Sequence, residues 1–99
     1  MVKRDDARRF LSNVPEDKVF WASNGSVLRN LGELEQALEH MDDGTYKCHA
    51  NKEKNDFSNW IKDVVGDNYL ADRISNARNK GSAHKKVKER VRTLGKVAG

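Results

Sequence analysis

The sequence predicts a mainly α-helical (α+β) fold, four or five short helices with one β-hairpin near the N-terminus. Three observations carry this reading. Asn24-Gly25 lies between two short runs of β-branched and aromatic residues. Leu31, Leu34, Leu38 and Met41 recur at helical spacing. The later apolar residues fall into further helix-length groups, set apart by capping side chains and glycines.

Residues 5–14 suit a short helix with Phe10, Leu11 and Val14 on one side and Arg4, Arg8 and Arg9 on the other. Pro15 ends it, since proline has no amide hydrogen and pushes the preceding residue toward extended geometry. Residues 18–23 (KVFWAS) and 26–29 (SVLR) read as strands. Asn-Gly between them is the signal for a two-residue type I′ turn, which needs positive φ at both positions. Such short arms are marginal alone, so the hairpin is expected to lie on helices.

Asn30 is a good N-cap, with Glu33 as the acidic arm of a capping box for the Leu31–Met41 helix. Asp42, Asp43 and Gly44 read as the turn that closes it. Residues 46–50 fit either a helical turn or an extended piece, and 51–54 read as a loop. Asn55 or Asp56 can cap a helix with Phe57, Trp60, Ile61, Val64 and Val65 on its apolar face, ending at Gly66. Asp67 can cap the next, through Tyr69, Leu70, Ile74 and Ala77. Lys80, Gly81 and Ser82 read as a break, with Ser82 capping a last helix that carries Val87, Val91 and Leu94 and stops at Gly95.

The 99 residues suggest a single domain, residues 1–99, with a compact core over about 5–78 and a basic C-terminal helix or arm over 79–99. Charged residues make up 34% and the mean hydropathy is −0.89, yet the ordered apolar patterns argue for a folded chain. The N-terminus has no apolar run, and no stretch approaches the roughly 20 apolar residues of a membrane helix, so a cytoplasmic, non-membrane protein is expected. A single cysteine, Cys48, forms no internal disulfide and reads as a reduced core residue.

The net charge of +4 is unevenly placed. Residues 1–10 carry +2, residues 11–75 carry −5 and residues 76–99 carry +7. Arg78, Lys80, Lys85, Lys86, Lys88, Arg90, Arg92 and Lys96 are therefore the candidate nucleic-acid contacts, able to neutralise phosphates without reading sequence. Arg4, Arg8 and Arg9 would extend that surface if the two ends meet. Trp21 and Phe20 alternate faces on a strand, so either both fill the core or one is free to stack on a base.

The stretch 46–60, YKCHANKEKNDFSNW, raises a different question. Paired ligand spacings of a zinc site are missing from Cys48, His49, His40 and His84, and no metal or cofactor is expected. His49 and Asp56 could form a catalytic pair with Cys48 or Ser58 as nucleophile, but no nucleophile elbow or phosphate loop accompanies them, so no catalytic residue is assigned. The simpler reading is a structural polar joint of His49, Asn51, Asn55, Asp56 and Trp60. In it Asn55 or Asp56 caps the following helix, His49 packs on Trp60, and the asparagines close turns.

Residues of this region carry a resemblance. Gly25, Leu31, Leu34, Leu38, Met41, Tyr46, His49, Asn51, Asn55, Asp56, Phe57, Trp60, Ile61, Leu70 and Ala71 resemble the pattern of a small prokaryotic, largely archaeal family of domains of unknown function. The likeness spans roughly residues 20–75. It implies a compact, mostly helical domain and brings no activity; the basic segment after residue 76 lies outside it. The expected function is thus a small non-enzymatic protein bound to DNA or RNA through its C-terminal segment. A protein–protein interaction module stands as the alternative, and a small enzyme around His49 and Asp56 as the third reading.

Overall fold

A computed structural model describes residues 2–99. Its elements run α1 (Arg4–Leu11), a 3-10 turn (Glu16–Lys18), β1 (Phe20–Trp21), β2 (Val27–Leu28), α2 (Leu31–His40), α3 (Asp43–His49), α4 (Asp56–Trp60), a π-helical segment (Ile61–Val65), α5 (Asn68–Ser75) and α6 (Lys80–Ala98). The class is as expected, mainly helical with one hairpin, but there are six α-helices rather than four or five.

The extra helix is α3. Asp42 accepts from Thr45 N–H at 2.7 Å and so starts a helix instead of closing one, and its carboxyl is held below the usual range by those Thr45 hydrogen bonds. On α3, Tyr46, His49 and Ala50 face inward, which turns Cys48 outward. Cys48 is exposed, not the core residue expected.

The hairpin also differs in detail. Phe20 pairs with Leu28 and Trp21 with Val27, with Ser23, Asn24 and Gly25 in the turn. Gly25 donates to the Ala22 carbonyl and has φ of 92°, while no non-glycine among the described residues has positive φ. This is a three-residue loop whose glycine sits in the left-handed position, not a type I′ turn. Phe20 points into the core, where its ring lies 5.1 Å from Phe57 and 5.9 Å from Trp60.

Asn30 caps α2 through Glu33 N–H at 2.8 Å, and the Glu33 carboxylate reaches back to Arg29 N–H, one residue before the usual capping-box target. Asn55 caps α4 and Asp67 caps α5. After α4 the turn widens, with Gly66 N–H donating to the Ile61 carbonyl at 2.7 Å and Gly66 at φ 92°.

Helix α6 starts earlier and ends later than the sequence signals suggest. Asn79 caps it through Ser82 N–H at 2.8 Å, so Gly81 and Ser82 lie in its first turn. Gly95 does not stop it, because Val97 and Ala98 are half-buried and Arg8 donates to the Ala98 carbonyl at 3.3 Å. Nor is it an arm: it packs on α1, α2 and α5, and Ala83, Val87 and Leu94 are fully buried. Of the helix or arm expected over 79–99, the structure shows a helix packed against the preceding ones.

Candidate nucleic-acid interface

The period of α6 sorts its side chains. Ala83, Val87 and Leu94 mark the inward face, and Lys85, Lys88, Arg92 and Lys96 are all exposed. At 3.6 residues per turn these four fall on one outward stripe at i, i+3, i+7 and i+11, about 16 Å long. None of the four forms a salt bridge among the described residues. Their charge is free to meet an anion.

Arg90 belongs to a different system. It points inward, where Nε donates to Asp67 Oδ2 at 2.8 Å and Nη2 to Oδ1 at 2.9 Å. Asp67 is 1% exposed, and its Oδ1 also accepts from Leu70 N–H at the start of α5. The Arg90 guanidinium further lies 4.7 Å from the centre of the Tyr69 ring. Two of its nitrogens are committed to the fold, which sets Arg90 apart from the four exposed cations. Lys86 is half-buried on the flank of the helix.

Arg78 and Lys80 lie elsewhere again, on an open cleft of about 920 Å³ at the N-terminal end of α6. Lys47, Lys52 and Lys54 line it as well, so five cations face two carboxylates, Asp43 and Glu53. These three lysines come from α3 and the loop after it. They were not legible as part of a basic surface, because Glu53 stands between Lys52 and Lys54 and Lys47 lies apart from both in sequence. The two chain ends do meet, through Arg8 and Ala98; Arg9 pairs with Asp6 on its own helix.

The aromatic question resolves to one residue of each kind. Phe20 is buried and Trp21 is 70% exposed. Val27, opposite Trp21, is half-buried and lines a shallow groove with Val14, Val19 and Arg29.

The residues of the polar joint are brought together around α3 and α4. Ser23 N–H donates to His49 Nε2 at 2.9 Å, which places the ring proton on Nδ1, facing Asp56 Oδ2 at 3.0 Å. Lys54 donates to the same Asp56 oxygen at 3.1 Å. Burial pushes the Asp56 carboxyl up, but the hydrogen bonds from His49 and Lys54 outweigh it and hold the group below the ordinary carboxylate range. Asn55 accepts from Ser58 N–H and donates to the Ile74 carbonyl, tying α4 to α5. Asn51 accepts from Glu53 and Lys54 amides and donates to the Lys47 carbonyl.

Of the two caps expected, Asn55 is the one used. One detail differs from expectation. The His49 ring packs on Phe20 and Phe57, at 5.1 and 5.4 Å between centres, while Trp60 Nε1 donates to the Lys18 carbonyl at 2.8 Å. Among the described residues, every buried side-chain polar atom has a partner.

The joint has the outline of a His–carboxylate pair. Nε2, the nitrogen that would activate a nucleophile, is occupied by the Ser23 amide. Ser58 Oγ is turned away to the Ala71 carbonyl at 2.7 Å, and Cys48 faces solvent.

No described helix is long and apolar enough to cross a membrane. Comparison with protein-family models, curated proteins and solved structures finds no match to this chain. A functional reading therefore rests on the geometry of the chain's own residues.

Proposed function

We propose that this protein is a small, non-enzymatic nucleic-acid-binding domain that grips the phosphate backbone through the outer face of α6. The observation that carries this reading is the stripe of Lys85, Lys88, Arg92 and Lys96, exposed and unpaired on a helix whose opposite face is in the core. Phosphate contacts of this kind supply affinity through counterion release and no base discrimination. Arg78 and Lys80, with Lys47 and Lys52 of the cleft, supply further cations at one end of α6. The occupied Nε2 of His49 supports a structural over a catalytic role for the polar joint.

The test is a titration of duplex DNA and RNA at two salt concentrations. Replacing Lys85, Lys88, Arg92 and Lys96 by glutamine should weaken binding almost equally across sequences. It should also flatten the salt slope by about one unit for each phosphate no longer neutralised. If the unmodified chain binds neither DNA nor RNA at low salt, the proposal fails.

The exposed Trp21 favours a second reading, an interaction module that docks a protein partner on the hairpin. Trp21→Ala discriminates. Loss of about 1–3 kcal/mol of single-strand affinity marks base stacking. Unchanged nucleic-acid binding with loss of a protein complex marks docking.

A further inference from the structure

Helices α2 and α6 meet at a cluster that takes no part in the outward basic stripe. Glu35 and Glu39 stand one turn apart on α2, and His84 reaches them from α6, 49 residues along the chain from Glu35. One donor atom from each lies within 4.8 Å of the other two. We propose that Glu35, Glu39 and His84 form a binding site for a first-row divalent transition cation such as zinc.

The backbone beneath the cluster is fixed before any ion arrives. Leu34 and Leu38 on α2, and Ala83 on α6, are all fully or almost fully buried next to the three ligands in sequence. The side chains of Glu35 and His84 are only 15% and 20% exposed, with Nε2 and Oε2 2.7 Å apart. Glu39 is 49% exposed and can swing inward without disturbing the core. Around one zinc ion, with bonds of about 2.0–2.2 Å to carboxylate and imidazole, Glu39 moves inward while the Glu35–His84 pair, 2.7 Å apart, opens slightly and gives up the proton it shares.

The donor set chooses the ion. Calcium and magnesium take all-oxygen shells, whereas an imidazole with two carboxylates suits zinc, cobalt or nickel. Three protein ligands with one solvent-facing side leave an open coordination position.

Electrostatics points the same way. Two carboxylates at i and i+4 repel each other, and a bound cation reverses that repulsion. The simpler alternative is a hydrogen-bonded clasp between the helices. A clasp uses only Glu35 and His84 and leaves Glu39 dispensable, so Glu39 separates the two.

The experiment titrates the chelator-treated 99-residue chain with zinc by calorimetry and with cobalt by absorption. One-to-one binding is expected, with a melting temperature that rises with zinc concentration. Glu39→Gln and His84→Asn should each weaken zinc by at least about 10- to 100-fold, the range that even outer partners of metal sites command. Glu39 is half-exposed, so Glu39→Gln should melt like the parent in metal-free buffer. Cys48→Ser should bind as the parent does. The proposal is overturned by absence of saturable binding, by binding that survives Glu39→Gln, or by a cobalt–thiolate band that disappears in Cys48→Ser.

Discussion

Replacing Arg90 by alanine should unfold this protein far more readily than replacing any other cation of α6. Arg90→Ala strands the Asp67 carboxylate, which is 1% exposed and receives two of its hydrogen bonds from that guanidinium. Removing one partner of a buried pair costs about 3–5 kcal/mol, because the remaining charge stays desolvated. The cation–π packing of Arg90 on the Tyr69 ring disappears as well. For a domain of this size each kcal/mol shifts the melting temperature by about 4–8 °C, so a fall of about 12–40 °C is expected. The same change at Lys88 or Arg92 should stay within about 0.5 kcal/mol, as exposed positions without partners do. Arg90→Lys should fall between, since an ammonium cannot make the two-pronged contact. Thermal melts followed by circular dichroism at neutral pH measure all four. An Arg90→Ala variant melting within about 4 °C of the parent, less than about 1 kcal/mol, would refute the assignment of Arg90 to the core.

Gly25→Val should cost about 1–2 kcal/mol or more, because φ is 92° and a side chain there strains the backbone although nothing lies within 4 Å of it; Gly25→Asn should cost less in the same denaturant titration. His49→Ala should cost on the order of 1–3 kcal/mol, leaving the Ser23 amide without its acceptor and Asp56 with Lys54 as its one side-chain donor among the described residues. The Asp56 carboxyl is lowered in the folded state, so its contribution is complete above the ordinary carboxylate pKa and is lost as pH falls through the folded value. Urea midpoints taken downward from pH 5 should decline less steeply in Asp56→Asn than in the parent.

Signals that act within one turn of the chain were readable in advance. Asn30, Asn55 and Asp67 each cap the next helix, because a capping oxygen reaches only two or three residues ahead. Val87 and Leu94 face the core as their spacing implies. Ambiguity arose where two local signals coincide. Asp42 directly follows the end of α2 at Met41 and opens α3, so one polar cluster served as stop and start. Gly81 and Gly95 look like breaks, yet packing and the Arg8 hydrogen bond carry α6 past them. Long-range pairs left no local trace. Nothing near Arg90 announces Asp67, 23 residues earlier, and nothing near His84 announces Glu35. The candidate interface was therefore visible as a charged segment, while which of its cations are free was not.

That division of labour within α6 has a consequence for salt. The inward cation, Arg90, is neutralised by Asp67, so the fold consumes part of the charge of the segment. What remains outside is a row of like charges one turn apart. Each such pair costs about 0.2–0.5 kcal/mol, and the three successive pairs along Lys85, Lys88, Arg92 and Lys96 cost about 1 kcal/mol, partly offset by Glu89 on the same side. Salt screens this repulsion, with a Debye length of about 8 Å at physiological strength. Stability of the free protein should therefore rise slightly with salt, by no more than about 1 kcal/mol. Binding to duplex nucleic acid should fall steeply over the same range, with a log–log slope near about −3.6 for four phosphate contacts at about −0.9 each. Opposite signs from the same four side chains are the signature of a surface strained in isolation and relieved by an anion. Replacing the four with glutamine should flatten both dependences together. A variant that loses the stability trend but keeps the binding slope would place the phosphate contacts elsewhere, with Arg78, Lys80 and the cleft lysines as the next residues to change.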